Sequence, residues 1–161
     1  AKNVGGELLK RRLEHFAMKD AMNIDGMGEK IVELLVAEKL VSEFADIYRI
    51  RFEDLMGLEG FKEKSSRKLV DAIEATRKPE LARLVFGLGI RHVGEQTAKI
   101  LSQHFGSLPA MLDASEDDFM QIHEIGPEVA RSLREYFSSP EGMREVRALL
   151  DYVHPVAPKK A

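Results

Sequence analysis

Apolar residues recur along the chain at steps of three and four, which is the spacing of one face of an α-helix. Polar residues fill the positions between them. The clearest apolar stripes are Leu9–Leu13–Phe16–Ala17, Ile31–Leu34–Leu35, Leu69–Val70–Ile73, Leu81–Leu84–Val85–Leu88 and Ala98–Leu101–Phe105. No segment alternates with a period of two for long enough to indicate a strand. The pattern therefore predicts an all-α fold.

Proline and serine mark several helix boundaries. Pro79 and Pro140 fit the first position of a helix, and Ser139 fits the N-cap before Pro140. The closing segment 153–161 is rich in proline and lysine. We therefore expect it to be an unpacked tail or linker.

A short motif occurs four times, and each copy runs into an apolar helical pattern. The copies are GMGEKIV (26–32), GFKEKSS (60–66), HVGEQTA (92–98) and EIGPEVA (124–130). Their starting positions differ by 34, 32 and 32 residues. A fixed spacing of this size indicates a repeated structural unit.

Equivalent positions of the copies share their chemistry. The second position is apolar, and its residues are Met27, Phe61, Val93 and Ile125. The third is glycine except in the second copy, and its residues are Gly28, Lys62, Gly94 and Gly126. We interpret each copy as a tight turn between two helices, in which the apolar residue fills the corner. The glycine is expected to allow a positive φ and close backbone approach. Packing alone is a sufficient explanation for any single copy.

Four copies favour a function as well. The first N–H groups of a helix have no partner within the helix, and the helix dipole adds positive charge there. A glycine before the helix removes the side chain that would block an oxygen atom, so a phosphodiester fits such a site. These contacts involve no base edges and are independent of sequence. Two adjacent copies would hold the two strands of a duplex across its minor groove.

Charge and composition limit the class of protein. The formal net charge is −3, which by itself argues against a nucleic-acid partner. The charge is uneven, however, because residues 51–78 are rich in Lys and Arg, whereas residues 113–128 contain six acids and no Lys or Arg. The chain has no cysteine, which excludes disulfides, thiolate zinc sites and a thiol nucleophile. With no apolar span or signal segment, the chain is expected to be cytoplasmic and to have no membrane partner.

Longer sequence segments that contain the copies resemble those of a known protein family. KDAMNIDGMGEK (19–30), LGIRHVGEQTAKIL (88–101) and the segment 105–133 are similar to the helix-hairpin-helix region of bacterial NAD-dependent DNA ligases. The resemblance runs from about Glu7 to Asp151. It implies tandem helix-hairpin-helix motifs, four copies in two pairs, within a larger nick-sealing enzyme of DNA replication and repair. It also implies that NAD, Mg and Zn bind elsewhere in that enzyme, with no cofactor here.

The resemblance implies DNA-contacting residues, position by position. They are Gly26, Gly28, Lys30, Gly60, Lys62, Lys64, Ser65, Arg91, His92, Gly94, Gln96, Thr97 and Gly126. No catalytic or metal-binding residue is implied. The implied partners are nicked double-stranded DNA and the other domains of the enzyme. The chain is expected to be monomeric and associated with the nucleoid.

The same resemblance implies four segments. Residues 1–18 form a helix after the position of a missing zinc module, 19–78 the first hairpin pair, 79–152 the second pair, and 153–161 the tail. Gly5 lies near where the last zinc cysteine of the family is expected.

Several features depart from the family pattern. The Lys-x-Asp-Gly motif of the adenylated lysine is absent, so the chain is not expected to seal nicks alone. Lys62 replaces the glycine of the second copy. This replacement either weakens phosphate binding by the backbone N–H groups or adds a cationic contact to the phosphate. Glu124 and Glu128 flank Gly126, so the fourth copy is expected to contribute packing more than binding.

The sequence is also consistent with two alternative functions. One is a helix-hairpin-helix module of another repair or junction-binding protein, and the other is a protein-interaction module. A dinucleotide-binding loop at 26–28 is disfavoured, because it lacks a preceding strand and a third glycine. The five histidines lack metal-ligand spacing.

Three groups of polar residues each allow two interpretations. His92 is either a DNA contact or a solvated side chain, and Lys62–Lys68 is either a phosphate-binding or a solvated face. Asp117 and Asp118 form either a metal pair or the acidic start of a helix capped by Ser115.

Overall fold

The computed structural model describes residues 6–158, and the regular elements in that range are helices joined by turns and loops. Its helices are α1 (Glu7–Ala17), α2 (Glu29–Ala37), α3 (Phe44–Ile47), α4 (Phe52–Met56), α5 (Glu63–Glu74), α6 (Leu81–Gly87), α7 (Glu95–Phe105), α8 (Leu108–Leu112), α9 (Glu116–Met120), α10 (Pro127–Ser138) and α11 (Pro140–Leu150). Within residues 6–158 there is no strand, only an isolated bridge between Glu80 and Val156. The predicted all-α class is confirmed.

The chain divides into two compact units between Arg77 and Lys78. The first unit contains α1–α5 and the second contains α6–α11. The predicted boundary between the hairpin pairs, after residue 78, lies one residue from this division. The roles assigned to the four segments stay predictions, and Gly5, with its expected zinc-module neighbour, lies outside the described residues.

The first unit is built around stacked phenylalanines. Phe16 of α1 and Phe44 of α3 stack with ring centroids 4.5 Å apart, and both are fully buried. Leu13, Leu35 and Leu55 are buried as well. Burying each such side chain contributes about 1.5–3 kcal/mol, so this cluster fixes α1–α4 around one core.

Two residues of the predicted α2 stripe are only half-buried. Val32 and Leu35 face the core, whereas Ile31 and Leu34 remain partly open to solvent. The apolar surface of α2 is therefore wider than the face that the core covers.

The second unit has its own aromatic core. Phe119 of α9 lies between Phe105 of α7, at 5.2 Å between ring centroids, and Phe137 of α10, at 6.5 Å. Leu101 and Leu133 are fully buried in the same unit. The helices after the third and fourth copies are thereby held by one cluster.

The segment before α6 and the start of the tail pair with each other. The N–H of Val156 donates to the carbonyl of Pro79 at 2.7 Å, and the N–H of Leu81 donates to the carbonyl of Val156 at 3.0 Å. Val153 is fully buried. The expectation of an unpacked tail is therefore wrong for 153–156, although 159–161 lie outside the described residues. Pro79 is not the first helical residue either, because Glu80 is the N-cap of α6.

The serine caps agree with the sequence. Ser139 Oγ accepts the N–H of Gly142 at 3.0 Å, with Pro140 first in α11. Ser115 and Asp118 form both bonds of a capping box, at 2.9 and 3.1 Å. Hydrogen bonds from the Ser115 backbone and then its hydroxyl keep the pKa of Asp118 below its usual value. The acidic pair is thus the start of a helix.

Two absences hold for residues 6–158. No group of His, Asp and Glu side chains in this range is arranged to hold a metal ion. No helix in the same range has the length and apolar character needed to cross a membrane.

Gly142 offers a stability test of the α10–α11 corner. Replacement by Ala is expected to lower the free energy of unfolding by about 1–3 kcal/mol, because a Cβ at Gly142 would overlap the carbonyl oxygen of Tyr136. Urea unfolding followed by circular dichroism measures the loss. Gly126→Ala is the control, since a Cβ there meets no atom within 4 Å. Equal midpoints for the two variants would contradict the proposed overlap.

Candidate nucleic-acid interface

All four copies begin with the same hydrogen-bonded turn. The carbonyl of a buried apolar residue accepts the N–H of the residue three positions later, which is the second residue of the copy. The pairs are Ile24–Met27 (3.2 Å), Leu58–Phe61 (3.2 Å), Ile90–Val93 (3.0 Å) and Ile122–Ile125 (3.0 Å). Each bond closes a β-turn before the next helix.

The positive φ lies at the first position of the copy, not at the third. Gly26, Gly60 and His92 have φ values of 88°, 87° and 70°. The third-position glycines have ordinary negative φ values, which are −89° for Gly28, −92° for Gly94 and −89° for Gly126. The expectation that the third glycine supplies the positive φ is therefore wrong. In a type II turn the positive φ belongs to the third residue of the turn. That residue is the first position of the copy, two positions before the third-position glycine.

The third-position residues are the N-caps of α2, α5, α7 and α10. A Cβ built on Gly28, Gly94 or Gly126 meets no atom within 4 Å. Neither backbone conformation nor internal packing demands glycine at these positions. Because these glycines have no side chain, the space in front of the N-termini of α2, α7 and α10 is open.

The helix starts behind these glycines are also left without side-chain caps. Ser107, Ser115 and Ser139 accept a backbone N–H at the starts of α8, α9 and α11. The helices after the repeated copies have no such bond, and neither have α1, α3, α4 and α6. The helices after the copies differ from these four because three of them begin behind a glycine with open space around it. Within the described chain, no acceptor meets the N–H groups of residues 29–31 or 95–97. Convergent bare N–H groups at the positive end of a helix dipole attract an anion.

The second copy replaces the glycine by a cation. The backbone N–H of Lys62 donates to Ser65 Oγ at 2.9 Å, and the same hydroxyl donates to the Lys62 carbonyl at 3.2 Å. The Ser65 hydroxyl is therefore already engaged. The side chains of Lys62 and Lys64 are exposed at this helix start, so this site combines backbone donors with full positive charges.

The fourth copy has the weakest anion site. Pro127 at the first position of α10 has no N–H, which removes one donor. Glu128 adds a carboxylate that lies 3.4 Å from Nε2 of His92. Glu124 lacks the positive φ found at the first position of the other copies. These features fit the expected packing role of this copy.

The predicted contact residues lie at the surface. Gly26, Gly28, Lys30, Gly60, Lys62, Lys64, Ser65, Arg91, His92, Gly94, Gln96 and Gly126 are exposed, and Thr97 is half-buried. In the first unit, Gly26, Gly60 and Ser65 line one groove. In the second unit, the Arg91 carbonyl accepts the Ser132 hydroxyl at 2.5 Å, and His92 meets Glu128. Each unit thus brings its own two hairpins together, while DNA contact by these residues stays a prediction.

Seven residues that line the first-unit groove are not among the predicted site residues. They are Asp25, Ile31, Leu34, Glu59, Phe61, Lys68 and Leu69. Ile31 and Leu34 continue a helical stripe, which predicts a place in the core. Phe61 is half-buried, although its counterparts Met27, Val93 and Ile125 fill their corners completely. The sequence signal that could have identified this groove is the apolar face of α2, which is wider than the face that the core of the first unit covers.

The chain matches family profiles in both units. One profile, a SAM-like helix-hairpin-helix tandem, matches residues 18–75, and another, a helix-hairpin-helix motif, matches residues 83–146.

Among curated proteins, the chain is similar to DNA ligases of several bacteria. Identity is 43% over 141 residues with that of Methylococcus capsulatus and 45% over 142 residues with that of Pelotomaculum thermopropionicum. It is 42% over 144 residues with that of Bdellovibrio bacteriovorus. These alignments cover 88–89% of this chain and 21% of each relative, so the chain spans about a fifth of the curated relatives it matches.

Alanine substitutions at two glycines of the first unit distinguish backbone strain from packing as the cause of a loss in stability. Gly60→Ala is expected to destabilise by about 1–2 kcal/mol, the cost of placing a side chain at positive φ. Gly28→Ala is the matched control, because its φ of −89° suits any residue and its Cβ also meets open space. Thermal unfolding of both variants measures the difference. A loss of stability in Gly28→Ala equal to that in Gly60→Ala would refute the assignment of the strained position.

Proposed function

This chain is a helix-hairpin-helix region of the bacterial DNA ligase family, and we propose that it holds duplex DNA by the sugar–phosphate backbone, independently of base sequence. The observation that carries the proposal is the set of uncapped helix starts behind glycines that the fold itself does not require. A phosphate oxygen fits this arrangement because it accepts from bare N–H groups and carries the favoured charge.

The arrangement of hairpins in pairs supports minor-groove binding. Each unit brings two helix starts together, through the groove in the first unit and the Arg91–Ser132 contact in the second. In the proposed complex, the two hairpins of a pair each take a phosphate of one strand, so that the minor groove lies between them. No side chain needs to reach a base edge.

The hairpins contribute unequally in this proposal. The first and third offer neutral N–H donors behind Gly28 and Gly94, whereas the second adds the charges of Lys62 and Lys64. The fourth is weakest, because Pro127 removes a donor and Glu128 repels phosphate. Net charge is therefore a poor guide to DNA binding by this chain.

We place this function within a larger NAD-dependent ligase that seals nicks in replication and repair. The chain lacks the Lys-x-Asp-Gly motif for adenylation, so the chemistry, with NAD, Mg and Zn, belongs to other domains of that enzyme. The nicked duplex and those domains are the proposed partners of a monomeric, cytoplasmic, nucleoid-associated protein. A protein-contact module is the second candidate, and it predicts partner binding with no affinity for DNA.

The third hairpin provides the direct test of the phosphate sites. Gly94→Val is expected to weaken binding of a nicked duplex by roughly tenfold, since loss of one charge-assisted set of hydrogen bonds costs about 1.5 kcal/mol. Fluorescence anisotropy at low salt measures binding, and circular dichroism checks folding. Gly126→Val introduces the same side chain at the fourth helix start and should change affinity less than twofold. Unfolding of Gly94→Val would show that this hairpin serves packing.

Salt dependence tests the role of the second hairpin. If Lys and Arg neutralise about four phosphates, the slope of log affinity against log salt is about −3.6, with affinity on the order of 10⁻⁴ to 10⁻⁶ M. Lys62→Gly should make the slope shallower by about 0.9. Lys39→Gly removes an exposed cation beyond the other end of α2 and should leave the slope unchanged. A tight, base-specific complex, or equal slopes for the two variants, would argue against the proposal.

A further inference from the structure

The turn of the third copy holds a residue with a side chain in a conformation that favours glycine. His92 has a φ of 70°, in the left-handed region where the Cβ of an L-residue is strained. The first and second copies place Gly26 and Gly60 at the corresponding position, with φ values of 88° and 87°. Glycine adopts such values without strain. The third copy therefore forms the same turn as the first two, but with a strain that they do not have.

The fourth copy also lacks glycine at this position, and its turn is different. Glu124 corresponds to His92, and the bond of 3.0 Å between Ile122 and Ile125 closes the turn as in the other copies. Glu124 does not have a positive φ, so this turn is not of type II. One residue with a side chain thus occupies the left-handed region and the other does not. The difference must come from contacts outside the turn.

Ser132 of α10 contacts the group that distinguishes the two turn types. Types I and II differ by a flip of the central peptide, whose carbonyl belongs to the second residue of the turn. In the third copy that residue is Arg91, and its carbonyl accepts the Ser132 hydroxyl at 2.5 Å. A flip to type I would turn the carbonyl away from Ser132 and break this bond. In the fourth copy the corresponding carbonyl, that of His123, accepts no side-chain hydrogen bond from the described residues.

A second contact from α10 reaches the same turn. Nε2 of His92 lies 3.4 Å from Oε1 of Glu128, whose side chain is 76% exposed. Exposed pairs of this kind contribute little to stability. The hydrogen bond from Ser132 is therefore the stronger connection between α10 and the turn of the third copy.

The peptide that Ser132 holds also carries an unpaired donor. The His92 N–H belongs to the same peptide as the Arg91 carbonyl and lies trans to it, so it points away from Ser132. This N–H has no acceptor within the described residues. A flip of the peptide would replace the donor on that side by a carbonyl oxygen, which repels an anion.

We propose that Ser132 is a positioning residue for DNA binding, because its hydroxyl holds the third hairpin in the type II turn that glycine allows in the first two. This inference rests on the proposed function, in which the third hairpin holds a phosphate. The His92 N–H then joins the N–H groups behind Gly94 as a donor to that phosphate. The fourth copy, whose own anion site is weak, supports the third through α10.

Removal of the hydroxyl tests the proposal. Ser132→Ala should weaken binding of a nicked DNA duplex by the full chain roughly fivefold, the factor that loss of one ordinary hydrogen bond gives. Fluorescence anisotropy measures binding, and circular dichroism checks folding. Ser132→Thr keeps the hydroxyl and should retain the original affinity. Ser138→Ala changes an exposed serine of the same helix and should alter affinity less than twofold. Unchanged binding in Ser132→Ala would overturn the inference.

A second background separates positioning from direct contact with DNA. In His92→Gly, residue 92 adopts a positive φ without strain, as Gly26 and Gly60 do. Adding Ser132→Ala to His92→Gly should therefore change affinity less than twofold. Any contact that the His92 side chain makes cancels, because each comparison is between chains that differ only at residue 132. An equal loss of affinity in both backgrounds would overturn the positioning role.

The conformation of the turn can be measured without DNA. The nuclear Overhauser effect between Hα of Arg91 and the amide proton of His92 is strong in a type II turn and weak in a type I turn, because the flip changes ψ of Arg91. It should weaken in Ser132→Ala and stay strong in Ser132→Thr. A strong signal in folded Ser132→Ala would overturn the inference and leave the proposed function standing. Failure of the unmodified chain to bind any duplex would overturn both.

Discussion

The structure depends on how the chain treats the unpaired N–H groups that begin every helix. Each helix start presents donors that its own turns do not satisfy. Serine side chains satisfy a donor at α8, α9 and α11, whereas the helices after the four repeated turns have no such cap. Glycine at an N-cap is less stabilising than serine by only about a few tenths of a kcal/mol. The chain therefore leaves the starts behind Gly28, Gly94 and Gly126 uncapped at little loss of stability.

The turn before each uncapped helix determines where those donors lie. The carbonyl of a buried apolar residue closes all four turns, and in the first three copies a residue at positive φ redirects the chain just before the second residue of the copy. Two copies use glycine there, but the third uses His92 at φ 70°, where a side chain is strained. The contact of His92 with Glu128 accompanies that conformation. Side-chain contacts thereby join the third and fourth hairpins, and an open groove lies between the first and second.

The helices and the repeat could be predicted from sequence because both depend on local spacing. The three- and four-residue stripes gave the all-α class, and four copies in register located the helix starts at Gly28, Lys62, Gly94 and Gly126. The site of the positive φ could not be assigned in the same way, because GMG carries glycine at both candidate positions. Pairing of Val156 with Pro79 joins residues 77 positions apart, and no local pattern encodes it. Periodicity also identified Ile31 and Leu34 as apolar-face residues without showing that the core leaves them uncovered.

In the proposed role, weak individual sites are an advantage. A neutral N–H cluster holds a phosphate without reading a base, and it depends on salt less than a lysine does. Several such sites on one chain act together, because binding at one raises the effective concentration of DNA at the next. Lys62 and Lys64 add long-range attraction at one hairpin, while the acids around Gly126 limit it at another. In this proposal the segment holds the duplex at any sequence and still allows its release, while the chemistry of nick sealing belongs to other domains.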